Sequence, residues 1–115
     1  MCVAFGSSVQ RCGSGSHATL QDGLILSLQL RSELAKDAGI AVAHSIGALI
    51  SIGHFVASRS EVGRVFELAA SAGASATGPA HERPWGIYSG YFADPDGHLW
   101  EIIHFPDGQS PDAGC

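Results

Sequence analysis

The sequence predicts an α+β domain in which one complete βαβββ unit, about residues 48–105, follows an incomplete one. Three observations predict it: a capped amphipathic helix follows an apolar strand, an Asp-Pro-Asp-Gly turn joins two later strands, and an Asp-Gly turn joins two earlier ones. A chain of 115 residues suits a single core. We therefore expect one domain over residues 1–115, with 1–16 as an irregular lead-in and 106–115 as a flexible tail.

Composition excludes several classes of function. Hydrophobic residues make up 45% of the chain and charged residues 15%, which is typical of a folded protein. The net charge of −5, with only six Lys and Arg, argues against nucleic acid as a partner. No apolar run approaches the roughly 20 residues of a membrane span, and the start lacks a secretory pattern, so we expect a cytoplasmic protein without a membrane partner. The three cysteines form no C-x-x-C pair and are interpreted as incidental thiols.

The first half of the chain predicts a hairpin and a short helix. Residues 17–20 and 24–30 have strand character and flank the turn Gln21-Asp22-Gly23. A short helical segment then begins near Ser32 and ends at Gly39, a typical stop signal. These elements make up the incomplete unit.

The second half begins with an apolar strand, about residues 48–57, and then the clearest helix of the chain. Ser58 is the predicted N-cap, and Glu61 three residues later completes a capping box. One apolar stripe at helical spacing faces a core, and it consists of Val62, Val65, Phe66 and Ala69. Gly73 is the predicted stop signal.

A strand at residues 74–77, a loop at 78–84 and a final hairpin complete the unit. In the hairpin, residues 86–93 and 98–105 flank Asp-Pro-Asp-Gly, where Pro favours a type I turn and Gly the left-handed position. If Asp94 pairs with His98, Glu101 lies opposite Tyr91.

Glu101 is the main candidate functional residue, because it is the one charged side chain within this apolar strand. Strand alternation places it with Ser89, Leu99 and Ile103, on the face opposite Phe92, Trp100 and Ile102. Two structural alternatives remain, namely a surface carboxylate or a buried acceptor bonded to Tyr91 or Ser89. The functional alternative is an enclosed carboxylate that binds a cation, a proton or a substrate, since an unpaired one costs several kcal/mol.

Other chemistry has weaker support in the sequence. His54 is a tempting second metal ligand, but alternation turns it toward the helix layer, and a lone strand histidine is more often structural. No H-x-H or H-x-x-x-H pair, nucleophile elbow or Walker loop is present. Trp85 and Tyr91 can stack on a flat ligand, although aromatic residues of a hairpin more often belong to a core.

The stretch WGIYSGYFADPDGHLWE, from Trp85 to Glu101, resembles the last hairpin of the vicinal oxygen chelate superfamily. That superfamily includes glyoxalase I, bleomycin resistance proteins and extradiol dioxygenases. Weaker similarity extends over about residues 17–107, through the Gly53-His54-Phe55-Val56 strand and the capped helix. The chain resembles an N-terminally shortened member.

The resemblance implies two βαβββ modules around a cavity that dimerisation often completes. In metal-dependent members, four strands each supply a ligand to a divalent ion such as Zn, Ni, Fe or Mn, and the carboxylate ligand corresponds to Glu101. The other corresponding positions, Ser51 and Ser27 or nearby Gln29, carry weak donors. The resemblance therefore places one ligand of four.

We expect a protein that binds a small hydrophobic or aromatic molecule in a cavity near Glu101. The predicted ligand-binding residues are Trp85, Ser89, Tyr91, Ser51 and Phe55. The alternative is a metal-dependent lyase or dioxygenase in which Glu101 acts in catalysis, with His54 as a weak further ligand and others from a second chain. A homodimer is expected because the apolar edge at 24–30 must be covered. A third interpretation, a shortened relic without ligand, predicts low stability and no cavity.

Overall fold

The structure is a computed structural model that describes residues 8–12, 15–19, 25–41 and 49–106. Within these ranges the chain forms seven strands and two helices. In chain order they are β1 (Ser8–Cys12), β2 (Gly15–Thr19), β3 (Ile25–Leu28), α1 (Arg31–Ala38), β4 (Ser51–Phe55), α2 (Arg59–Ser71), β5 (Ser75–Glu82), β6 (Tyr88–Ala93) and β7 (Leu99–His104).

The strands form two sheets. The first is antiparallel in the order β1-β2-β3, and the second has the order β4-β7-β6-β5. In the second sheet β4 runs parallel to β7, while β6 is antiparallel to both β5 and β7. The segment from β4 to β7 is therefore a complete βαβββ unit, and the predicted fold class is confirmed.

Helix α2 follows its sequence signals closely. Ser58 is the N-cap, and its hydroxyl oxygen accepts the Glu61 backbone N–H at 3.2 Å. The Glu61 carboxylate accepts from the Arg64 guanidinium at 3.2 Å, so the structure shows the Ser58 half of the predicted capping box and not the Glu61 half. The helix ends at Ser71, two residues before Gly73, whose φ is 100°.

The predicted stripe of α2 packs on one face of the four-stranded sheet. Val62 is fully buried against Phe92 and Ile102, and Val65, Phe66 and Ala69 surround them. The Phe66 and Phe92 rings meet edge to face, with their centroids 5.4 Å apart. This cluster is the larger apolar core.

The β6–β7 hairpin has the predicted turn and register. The Gly97 N–H donates to the Asp94 carbonyl at 2.8 Å, and the Asp94 N–H donates to the His98 carbonyl at 2.9 Å. Gly97 has a φ of 88°, the left-handed conformation expected after a type I turn. Tyr91 pairs with Glu101 in this register.

Helix α1 packs on the opposite face of the same sheet. Leu34 and Ala38 are buried against Tyr91 and Leu99. Gly39 ends the helix with a φ of 73°, and a Cβ at this position would collide with the Thr77 carbonyl oxygen. Glycine is therefore required here for both its conformation and its size.

Two predictions of secondary structure need correction. Residues 8–12, expected to be irregular, form β1. Their backbone groups pair with those of β2, and this pairing leaves no periodic pattern in the sequence of β1 itself. Strand β5 extends to Glu82, although residues 78–84 were expected to form a loop. Two register irregularities accommodate Gly78 and Pro79 at this edge of the sheet.

Strands β2 and β3 pair antiparallel, as the predicted hairpin requires, while its Asp22-Gly23 turn lies outside the described residues. The predicted tail beyond Pro106 also lies outside them. Neither of the two described helices is long and apolar enough to cross a membrane.

Candidate functional site

Glu101 lies in the middle of the four-stranded sheet. It is paired with Tyr91 of β6 on one side and with Gly53 of β4 on the other. We call the side of the sheet that carries it the Glu101 face, which also includes Ser89, Tyr91, Leu99 and Ile103. Its side chain is half-buried rather than open to bulk water.

A hydrogen-bonded network surrounds the carboxylate. Ser89 is fully buried, and the hydroxyl groups of Ser89 and Tyr91 lie close enough to Glu101 to lower the pKa of its carboxyl through hydrogen bonding. The Arg83 Nε–H donates to the Ser89 hydroxyl oxygen at 2.6 Å. The guanidinium also lies over the Tyr91 ring, 5.4 Å from its centroid, so one cation contacts two of the groups that hold Glu101.

Asp37 of α1 lies at the margin of this network. Its carboxylate is 4.0 Å from Arg83 Nη1, and its side chain is 48% exposed, against 15% for Arg83. This distance exceeds that of a hydrogen bond. Asp37 is therefore a weak counterion for an arginine that is nearly enclosed.

Burial raises the pKa of the Glu101 carboxyl above its ordinary value. The hydrogen bonds from Ser89 and Tyr91 and the positive charge of Arg83 oppose this shift in pKa without overcoming it. Burial also raises the pKa of the Tyr91 hydroxyl, and the adjacent Glu101 charge raises it further. Tyr91 therefore keeps its proton and acts as a donor to Glu101.

Strand β4 extends the Glu101 face to the edge of the sheet. Ser51 pairs with Leu99 and Phe55 pairs with Ile103, so both lie on this face, as predicted. The Phe55 ring is 43% exposed, and its centroid is 5.5 Å from that of Phe105. Gly53 lies between Ser51 and Phe55 and presents no side chain beside Glu101.

Trp85 takes no part in this network. It lies in a 3-10 turn, Pro84–Gly86, where its φ of 63° is unusual for a residue other than glycine, and 66% of it is exposed. The predicted ligand-binding residues thus divide. Ser89 and Tyr91 contact Glu101, Ser51 and Phe55 share its face, and Trp85 stands apart.

His54 is on the opposite face of the sheet, as alternation predicted. It pairs with Ile102 and lines a pocket of about 290 Å³ between the end of α2 and the final hairpin. His54 and Glu101 point to opposite sides, so within one chain they cannot ligate the same ion. The other residues around this pocket are nearly all apolar: Val65, Ala69, Ala72, Ala74, Phe92, Asp94, Pro95, Trp100 and Ile102.

Asp94, the one carboxylate at this pocket, has a structural role. Its Oδ1 accepts the backbone N–H groups of Asp96 and His98 at 3.0 and 2.9 Å. Its Oδ2 accepts the Trp100 indole N–H at 3.1 Å. Desolvation raises the pKa of Asp94, but these hydrogen bonds together lower it below the ordinary value. The Asp94 carboxylate therefore stabilises the turn of the β6–β7 hairpin.

The residues described around Glu101 do not fit a metal site. The described ranges contain no group of three His, Cys, Asp or Glu side chains that could hold an ion. Ser51, Ser27 and Gln29, at the positions that the resemblance assigns to ligands, offer only neutral donors of low affinity. Arg83 already places a positive charge beside Glu101. We therefore derive no chemical step through a metal.

Sequence reasoning missed Arg83 and Asp37. Arg83 was placed in a loop and Asp37 in a short helix, more than forty positions apart along the chain. The signal available was weak. Arg83 is one of only six Lys and Arg residues and lies two positions before Trp85, where the aromatic motif begins.

Comparison with known proteins agrees with this architecture. Residues 14–102 match the sequence model of the family described as Glyoxalase/Bleomycin resistance protein/Dioxygenase superfamily. A search of curated proteins found no match. Among solved structures, a glyoxalase-related enzyme from Fulvimarina pelagi is 33% identical, with a TM-score of 0.51, and the alignment covers 95% of this chain and 77% of that one.

Two more distant structures share the fold. A glyoxalase/bleomycin resistance protein/dioxygenase family enzyme from Burkholderia phytofirmans PsJN is 16% identical, with a TM-score of 0.50 and coverage of 85% of this chain and 80% of that one. A structure described as NAD-dependent benzaldehyde dehydrogenase from Legionella pneumophila is 18% identical, with a TM-score of 0.58 and coverage of 84% and 76%. At these identities the similarity concerns the fold alone.

Proposed function

The chain belongs to the Glyoxalase/Bleomycin resistance protein/Dioxygenase superfamily, and on that premise we propose that it binds a small hydrophobic or aromatic molecule against the Glu101 face. The observation that carries the proposal is the half-buried Glu101 carboxyl, bonded by Ser89 and Tyr91 and shifted upward in pKa by burial. Withdrawing such a group from water costs free energy. Carboxyl groups with a perturbed pKa are often found at functional sites, which favours use of Glu101 in binding.

The apolar part of the ligand has a surface to contact on the same face. Phe55, which pairs with Ile103, forms a ring pair with Phe105 and remains 43% exposed. Gly53, which pairs with Glu101 on β4, is exposed and has no side chain, and a Cβ there would touch only the Ile103 side chain, at 3.4 Å. Aromatic rings near a few directed polar groups are typical of small-molecule sites.

The pocket on the opposite face is a less suitable recognition site. Its lining is almost entirely apolar, and the Asp94 carboxylate at its margin already accepts three hydrogen bonds. An apolar pocket of this kind distinguishes weakly between molecules of similar size. The Glu101 face offers hydroxyl, carboxyl and guanidinium groups together.

We also propose that the chain forms a homodimer. Strand β3 lies at an edge of the three-stranded sheet, and β4 at an edge of the four-stranded one. Leu30, Ile50 and Ile52 near these edges are 56%, 72% and 47% exposed. Apolar strand edges favour association. A metal-dependent lyase or dioxygenase remains the alternative function, with ligands completed by the second chain.

One set of measurements tests these proposals. Native mass spectrometry of protein purified without chelator reports the oligomeric state and any bound metal. NMR titration with a panel of phenols, indoles and naphthalenes then reports binding to wild type, to Glu101→Gln and to Glu67→Gln. Glu67 lies exposed on α2, so its variant removes one carboxylate elsewhere and serves as the matched control.

We expect a dimer that binds members of the panel, with affinity at least about tenfold weaker in Glu101→Gln and unchanged in Glu67→Gln. Binding that both variants retain equally, or that no member of the panel shows, would refute the proposed site. Stoichiometric metal that disappears in Glu101→Gln would instead favour the lyase or dioxygenase. A monomer at micromolar concentration would contradict the dimer.

A further inference from the structure

Arg83 is fixed in place on the Glu101 face by its backbone and its side chain. Its backbone N–H donates to the Ile87 carbonyl at 2.6 Å across the 3-10 turn. Its Nε–H donates to Ser89 at the same distance, 2.6 Å, and its guanidinium lies over the Tyr91 ring. The cation is therefore positioned by three separate contacts before any ligand arrives.

The charge of Arg83 is incompletely balanced. A guanidinium has five N–H donors in a planar fork. Its Nη2 group is buried and has no hydrogen-bond partner, while Nη1 is 4.0 Å from Asp37. The side chain is only 15% exposed, so water satisfies little of this demand. A planar acceptor with a negative charge is the chemical complement of this edge.

We infer that the site takes a small aromatic molecule bearing a carboxylate, which Arg83 anchors in place of Asp37. This inference rests on the proposed function and specifies the class of ligand. Asp37 is 48% exposed, and its contact with Arg83 Nη1 is 4.0 Å long. Because this ion pair is weak and solvated, rotating the Asp37 side chain away from Arg83 costs little free energy. The ligand carboxylate then occupies the Nη1–Nη2 edge of the guanidinium in a bidentate arrangement.

Sheet geometry gives the length of the ligand. Phe55 of β4, Ile103 of β7 and Ser89 of β6 lie in one row across the sheet. Adjacent strands are about 4.8 Å apart, so Phe55 and Ser89 are about 10 Å apart. Arg83 is bonded to Ser89 at one end of the row, and the exposed Phe55 ring forms the other end. A molecule with a single aromatic ring or two fused rings, and one carboxylate, spans the distance between Phe55 and Arg83.

The same cation explains the poor fit of this site to a metal. A divalent ion beside Glu101 would be repelled by Arg83 and would lack further charged ligands among the described residues. The chain thus supplies its own fixed positive charge at the position next to Glu101. In this proposal the Arg83 guanidinium takes the place that a metal ion has in metal-dependent members. The ligand binds it through one carboxylate.

The test compares aromatic acids with their neutral amides, for example naphthalene carboxylate with naphthalene carboxamide, by NMR titration and calorimetry. We expect the full-length wild-type protein to bind the acid at least about tenfold more tightly than the amide. Arg83→Gln is expected to abolish this preference, so that acid and amide bind equally, and Arg83→Lys is expected to retain part of it. Arg64→Gln, which removes an exposed arginine of α2, is the matched control and should retain the full preference.

The outcomes separate this inference from the function on which it rests. If wild type binds acid and amide equally and both depend on Glu101, the inference fails and the proposed function stands. If none of the acid–amide pairs binds, both fail. The NMR spectrum of the unliganded Arg83→Gln variant, compared with that of wild type, shows whether the variant is folded. Should that variant unfold, wild type alone decides: rising salt must weaken acid binding and spare the amide, and equal salt dependence overturns the inference.

Discussion

The side of the four-stranded sheet that faces α2 packs Val62, Phe92 and Ile102 into an apolar core, whereas the Glu101 face buries Ser89 and Tyr91 around a carboxyl group. Successive residues of β7 alternate between the two sides, so Ile102 and Glu101 are neighbours in the chain but belong to different environments. The side that faces α2 gains free energy from apolar burial. The Glu101 face also packs apolar residues against α1, but it buries polar groups as well, and withdrawing these from water costs free energy.

The largest expected effect on stability comes from shortening a core side chain beneath α2. Ile102→Ala removes a side chain that is 1% exposed from the cluster beneath α2. We expect the free energy of unfolding to fall by about 2–5 kcal/mol, measured by denaturant titration. Leu68→Ala, at a position of α2 that is 61% exposed, should change it by less than about 0.5 kcal/mol. Similar losses in both variants would show that α2 does not pack as described.

The contact of α1 with the Glu101 face depends on Gly39. Gly39→Ala forces a left-handed φ of 73° on alanine, at a cost of roughly 1–2 kcal/mol, and adds the collision with the Thr77 carbonyl. We expect lower thermal stability and faster hydrogen exchange in α1. Gly63→Ala is the matched control, since Gly63 lies within α2 with open space around it. That substitution should stabilise by about 0.5–1 kcal/mol. A neutral Gly39→Ala would mean that α1 does not pack on Thr77.

The smallest expected effect is the pH dependence introduced by Glu101. Because burial raises its pKa in the folded protein, the folded state keeps this proton at pH values where the unfolded state has lost it. Stability should therefore decline as pH rises from about 4.5, the ordinary value, through the raised pKa. Glu101→Gln should lack this decline and be at least as stable as wild type at neutral pH. Denaturant titrations across acidic to neutral pH measure it.

The matched comparison is Glu67→Gln, which removes an exposed carboxylate from α2. We expect this variant to keep the decline of the wild type. If Glu101→Gln and wild type follow the same pH profile, Glu101 is solvated and the distinction between the two faces loses its energetic basis.

Local sequence chemistry predicted the second half of the fold well. The Ser58 cap, the stripe of α2 and the Asp-Pro-Asp-Gly turn each act over a few residues, and all appear where expected. The geometry of this turn also sets the register in which Tyr91 pairs with Glu101. Strand β1 and the full length of β5 were missed, because their backbone partners lie in other strands and leave no local period.

The sequence by itself determined which residues share a face with Glu101, because turn chemistry fixes the hairpin register and a strand alternates with a period of two. Only the tertiary structure decided that Arg83 and Asp37 meet there. Arg83 reaches Ser89 from the end of β5, and Asp37 approaches from α1, which packs on the same face. Contacts between segments so far apart depend on chain packing as a whole, and short-range preferences of the backbone do not encode them.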